Sequence, residues 1–155
     1  MSTSYQAQML SKAIQIASTA HINQVDRGGE PYILHPIRVM NDVCSDDCEL
    51  RQIAVMHDVL EDSEYTIDNL RNEGFSLDVI TALDLLNHDK DNDTYNEYIE
   101  KVASNYNAIL VKMADLRDNS KITRLKGVSQ KDLDRMAKYH KSYMYLKDQK
   151  NNFIF

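Results

Sequence analysis

The chain has 155 residues, with 18 basic against 24 acidic side chains and a formal net charge of −6. That length suffices for one buried core, and an acidic chain with no basic block is a poor match for charge-driven binding to nucleic acid. No apolar run reaches membrane-spanning length and the N-terminus lacks the basic flank and apolar centre of a signal peptide, which predicts a cytoplasmic protein.

Only four glycines and two prolines interrupt the sequence, and apolar residues recur at threes and fours along most of it. With Ser4 as a cap, Met9, Leu10, Ala13, Ile14, Ala17 and Ala20 give a first helix ending near Gln24. Gly28 and Gly29 permit a sharp turn in a loop over 25–31. Pro36 suits the first turn of a second helix over about 36–43, and His35, as the residue before proline, is expected in extended backbone. A third helix is predicted over about 47–61. Cys44 and Cys48 are read as ordinary reduced thiols, since two thiolates alone do not close a zinc site.

Thr66 caps a short helix that stops at Gly74, and Ser76 caps another whose stripe is Val79, Ile80, Leu83 and Leu86. The polar stretch 88–93 reads as a surface loop. Helices follow over about 94–103 and 108–119, then an amphipathic one over about 129–147 with Leu133, Met136, Tyr139, Tyr143 and Leu146 on its apolar face. No segment alternates as a strand does. The expectation is an all-α single domain of seven to nine helices spanning 1–155, with its core over about 5–146. The apolar end Phe153-Ile154-Phe155 is free to dock on the domain, dock on a partner or fray.

The chemistry concentrates in Ile53-Ala54-Val55-Met56-His57-Asp58-Val59-Leu60. A segment apolar on every side is normally buried, and a buried carboxylate needs a hydrogen bond, a counter-charge or a metal. On one continuous helix His57, Asp58, Glu61 and Asp62 fall within an arc of roughly 140°. Asp115 sits in a second apolar run, Ala108 to Leu116, and poses the same question. Two imidazoles, His35 and His57, with two carboxylates form a mixed nitrogen and oxygen shell suited to manganese, iron or zinc. Each part also has a plain reading: His57 as a core histidine, Glu61-Asp62 as a solvated helix end.

The ordered set His, His-Asp, Asp resembles the signature of the HD-domain phosphohydrolases. The blocks Ala20-His21, Gly29-Glu30-Pro31-Tyr32-Ile33-Leu34-His35-Pro36, His57-Asp58-Val59-Leu60-Glu61-Asp62 and Lys112-Met113-Ala114-Asp115 look like the hydrolase domain of RelA/SpoT proteins and their stand-alone small alarmone hydrolase relatives. The likeness spans about 5–146, and no segment resembles the synthetase domain of the long members. It implies His35, His57, Asp58 and Asp115 as ligands of one divalent metal, usually manganese, with Glu61 and Asp62 orienting or deprotonating the attacking water. The implied reaction removes the 3′-pyrophosphate from guanosine tetra- or pentaphosphate, giving GDP or GTP.

For the nucleotide, the resemblance offers Arg27 and Asn119, and Lys112 lies one turn before Asp115, where it either meets substrate or pairs with a carboxylate. Tyr95 and Tyr98 are candidates for base stacking with a core role as the alternative, Tyr32 is read as loop packing, and His21 as structural. Two stretches depart from the family pattern: Asp26-Arg27 where Arg-Lys is common, and Leu116-Arg117-Asp118-Asn119 where Arg-Leu-His-Asn is common. A lost cation beside the substrate favours one alternative, a phosphohydrolase acting on another nucleotide or phosphate ester. A further alternative is a regulatory module that binds metal and nucleotide without turnover, against which the intact Glu61 and Asp62 count. Binding to nucleic acid or membrane is not expected.

Overall fold

The apolar run Leu50 to Met56 forms the axis of the molecule. In the computed structural model, which describes residues 2–155, it lies in α3 (Cys48–Met56), where Leu50 and all residues from Gln52 to Met56 are buried. Helix α1 (Thr3–Ala20) and helix α2 (Leu34–Asp42) pack on it, as do α6 (Leu77–Leu86) and α8 (Tyr106–Asn119). Short α4 (Val59–Asp62) and α5 (Ile67–Asn72) link α3 to α6. Helix α7 (Tyr95–Val102) rests on α6 and α8, and α9 (Gln130–Lys150) lies against α8. Ile53, Met56, Leu83, Ile109, Leu116 and Leu146 are fully buried where these helices meet. There is no β-sheet among the described residues, only an isolated bridge between Val25 and Pro31, and no helix long and apolar enough to cross a membrane.

Most helix starts follow from their caps. Asp47, Thr66, Ser76, Thr94, Asn105 and Ser129 each accept a first-turn backbone N–H, a bond that contributes about 1 kcal/mol apiece. The first helix differs from expectation: Ser2, not Ser4, caps it, and it ends at Ala20 rather than near Gln24. The chain leaves α5 through Gly74 at φ +95°, a left-handed conformation that favours glycine.

Three other expectations are corrected. His35 is helical, not extended; its N–H donates to the Tyr32 carbonyl at 2.9 Å, and Pro36 occupies the first turn, where its missing N–H leaves nothing unpaired. The helix predicted over 47–61 is interrupted at His57-Asp58. The Ala54 carbonyl, which a continuous helix would use for the Asp58 N–H, instead takes the His57 N–H at 3.5 Å and the His57 ring Nδ1 at 2.7 Å. Helical bonding resumes with the Asp62 N–H on the Asp58 carbonyl at 3.0 Å. In α9 the stripe is buried only in part: Leu133 is exposed, while Tyr139, Tyr143 and Leu146 pack on the core. At the C-terminus Phe153 packs partly on the core and the Phe155 ring meets Tyr106, with centroids 4.7 Å apart, while Ile154 is exposed.

Candidate metal centre

The break between α3 and α4 turns His57 and Asp58 towards α2 and α8, which carry His35 and Asp115. His35 Nε2 lies 3.0 Å from Asp115 Oδ1 and 3.7 Å from Asp58 Oδ2. His57 Nε2 lies 3.0 Å from Asp58 Oδ2 and 3.4 Å from Asp115 Oδ1. None of these approaches has hydrogen-bond geometry, so both Nε2 atoms are buried without a hydrogen-bond partner. The ligand atoms of His35, His57 and Asp58 all fall within 4.8 Å of one another.

The other ring nitrogens are committed. A carbonyl only accepts, so His57 Nδ1 carries the hydrogen towards Ala54. His35 Nδ1 donates in the same way to Asp118 Oδ2 at 2.6 Å. Nε2 is therefore the atom of each ring left to take a proton or a metal. His35, His57 and Asp58 fit a divalent cation by donor type as well as by spacing, and Asp115 Oδ1 lies beside both imidazoles as a further oxygen donor.

The electrostatics point the same way. Burial works against charge on His57, but the Asp58 and Asp115 carboxylates outweigh it and hold the imidazole well above the usual histidine range. Burial likewise disfavours the charged form of Asp58, yet the His57 imidazole beside it draws the carboxyl down to about 2. Asp115 is also buried, and the Lys112 ammonium holds it well below the usual carboxylate range, helped by His35 and His57. The pocket thus attracts positive charge, as protons on the rings or as a cation between them.

Around the four lies a ring of supporting contacts. Tyr32 donates its hydroxyl to Asp58 Oδ2 at 2.5 Å; burial first, then the neighbouring Asp58, keeps that phenol protonated. Lys112 donates to Asp115 Oδ2 at 2.8 Å and Asn119 to Asp115 Oδ1 at 2.8 Å. Asp118 holds His35 and takes a two-pronged bond from Arg38, Nε at 2.9 Å and Nη2 at 3.0 Å. Of the two readings open for Lys112, the carboxylate pair is the one observed. Tyr32, Arg38 and Asp118 were not singled out as site residues from the sequence. The available signals were a third polar residue in an apolar helix, three positions after Asp115, and an arginine one turn after His35.

Glu61 and Asp62 follow on α4. The Glu61 carboxylate accepts the His88 N–H at 3.0 Å, and Asp62 accepts from Gln24 Nε2 at 3.1 Å. Gln24 is in turn bonded to the buried His21 ring at 2.8 Å, which makes His21 a support for that pair. Burial is the main cause that pushes both carboxyls above their ordinary values.

Beyond Asn119 a small cleft is lined by Arg27, Lys121, Arg124, Arg135 and Tyr139. These four cations face Asp118 and Asp132 at 3.1–3.8 Å, so positive charge is in excess on this wall of a chain that is acidic as a whole. Arg27 is well exposed and pairs with Asp132 at 3.8 Å. Its neighbour Asp26 does not face the cleft as a free anion: its carboxylate accepts the Gly28 and Glu30 N–H groups at 2.8 and 3.0 Å and shapes the loop. Tyr98 is not open to a base, because His88 stacks on its ring at 4.5 Å and Lys112 lies 5.2 Å from the ring centroid. Tyr95 has Lys138 over its ring at 4.2 Å.

An imidazole from α2, an imidazole and a carboxylate from the helix break, and a carboxylate from α8 thus form one buried cluster of metal-binding donor types. No protein-family model matches the chain, but individual relatives do. It is 32% identical over 115 residues to a guanosine-3′,5′-bis(diphosphate) 3′-pyrophosphohydrolase of Haemophilus influenzae, a span of 67% of this chain and 17% of that protein. To a probable GTP pyrophosphokinase of Mycobacterium leprae it is 29% identical over 125 residues, 75% of this chain and 16% of the relative. The chain thus spans about a sixth of the length of these curated relatives. A solved structure of a metazoan ortholog of SpoT that hydrolyzes ppGpp shares the fold, with a TM-score of 0.75 at 22% identity over 93% of this chain and 92% of that one. The chain belongs to the RelA/SpoT family of HD-domain proteins.

Proposed function

We propose that this chain is a single HD-type domain that uses one divalent metal, manganese by our assignment, to remove the 3′-pyrophosphate from guanosine tetra- or pentaphosphate. The observation that carries the reading is the pair of buried, unpartnered Nε2 atoms of His35 and His57 facing Asp58 and Asp115. Those four side chains would hold the ion. When bound, a divalent ion there supplies a water acidified towards neutrality and offsets phosphate charge.

The chain's own residues do the rest. Tyr32, Lys112, Asn119 and Asp118 hold the carboxylates and His35 in place, so that little reorganisation accompanies the reaction. Glu61, with its carboxyl raised by burial, accepts the proton of the attacking water, and Asp62 orients that water from the Gln24 side. The cations Arg27, Lys121, Arg124 and Arg135 face the remaining phosphates. A second reading, hydrolysis of another phosphorylated nucleotide, is favoured by one observation: the 26–31 loop offers a single cation, Arg27, and that one leans on Asp132 at 3.8 Å.

The test is product analysis after incubating manganese-loaded protein with guanosine tetraphosphate, beside Glu61→Gln. GDP and pyrophosphate are expected from the parent protein, with turnover in the variant lower by about 10²- to 10⁴-fold. No product from metal-loaded parent protein overturns the substrate assignment, and near-normal turnover of Glu61→Gln removes Glu61 from the mechanism.

A further inference from the structure

We infer that Asp118 and Arg38 form a positioning unit for the metal site, which fixes the His35 ring so that Nε2 is presented to the ion. The inference rests on the metal-site reading above and adds two residues to it. Asp118 is nearly fully buried in α8, one turn beyond Asp115. A buried carboxylate persists only where donors surround it, and four side chains converge on this one. His35 Nδ1 is 2.6 Å from Oδ2, and Arg38 reaches both oxygens from the same helix as His35. Lys121 and Arg124 approach more loosely, at 3.4 and 3.7 Å.

The geometry assigns a division of labour. The short bond from His35 sets the ring's tautomer, because a carboxylate beside Nδ1 requires the hydrogen there and leaves the Nε2 lone pair for the ion. Ring rotation is blocked at the same time, since a flip would trade this bond for none. The planar fork of Arg38 binds both carboxylate oxygens, which fixes the carboxylate that in turn fixes the ring. A lysine at position 38 would not hold that plane. His57 needs no such unit, because its Nδ1 is anchored on the Ala54 backbone carbonyl at 2.7 Å. His35 sits in the first turn of α2 and depends on a side chain from another helix for the same service.

Asp118 also anchors Lys121 and Arg124, which line the basic wall of the cleft, so it touches both halves of the site.

The test is manganese binding, read by the paramagnetic resonance signal of free Mn2+, for the parent protein, Asp118→Asn and Arg38→Gln. Asp58→Ala is the control that marks loss of the site itself. Asp118→Asn keeps an acceptor for the ring but loses the charge and the fork, and is expected to weaken manganese binding by about 10- to 100-fold. Arg38→Gln leaves Asp118 in place and is expected to cost several-fold, with the fold kept because Arg38 is partly exposed. The visible spectrum of the cobalt-substituted protein should shift in both variants, a signature that a loss of stability alone does not produce. Parent-like manganese affinity and an unchanged cobalt spectrum in Asp118→Asn overturn the inference. If that variant does not fold, parent-like values in Arg38→Gln overturn it instead. No manganese binding by the parent protein defeats the metal-site reading itself, an outcome distinct from both.

Discussion

On the metal side of the site every candidate ligand has a second group holding it: Ala54 for His57, Asp118 for His35, Tyr32 for Asp58, and Lys112 with Asn119 for Asp115. On the cleft side, Arg27, Lys121, Arg124 and Arg135 lean on two shared carboxylates, several at 3.4–3.8 Å, and Arg27 is largely open to solvent. The first region is a buried cage on helices and a helix break, each member held by a short hydrogen bond. The second is a set of cations, most of them in longer ion pairs, on a loop, a short 3₁₀ turn over Ile122–Arg124 and the start of α9. Under the proposed function the first holds the ion and the second meets the phosphates.

This contrast can be broken from either side. Tyr32→Phe removes only the hydroxyl that holds Asp58, and manganese affinity measured by titration calorimetry should fall about tenfold, the scale of one hydrogen bond to a charged group. Unchanged affinity would mean that the cage does not depend on its outer ring. Arg27→Ala removes one tethered cation from the cleft. Michaelis kinetics should then show KM raised about fivefold, equivalent to roughly 1 kcal/mol, with manganese affinity within about twofold of the parent because Arg27 is exposed and its ion pair is a long one to Asp132. A large loss of manganese binding in that variant would show that the two regions are not separable.

The same contrast explains what could be read from the sequence. The helices were legible because their apolar periodicity and caps are local, and His35, His57, Asp58 and Asp115 stood out because polar side chains in apolar runs need a reason to be there. The helix break was not legible: it depends on the His57 ring competing for the Ala54 carbonyl, which periodicity does not register. Local preference also misled at His35, where Pro36 argued for extended backbone and the helix prevailed. Asp118 and Arg38 lie 80 residues apart in sequence, and nothing local announces their pairing. At Asp26 the sequence shows only a missing cation; the fold adds that its carboxylate accepts the Gly28 and Glu30 N–H groups and shapes the loop. Tyr98 was a stacking candidate by residue type alone, and only the fold shows His88 and Lys112 covering it.

The most direct test of the central claim, that the buried imidazole and carboxylate cluster holds a divalent ion, is metal content after incubation with Mn2+ and removal of the excess, for the parent chain and Asp58→Ala. The account predicts one tightly held ion per chain in the parent and its loss in the variant, with helical content by circular dichroism retained. Equal metal content in the two proteins, or none in the parent, would contradict it.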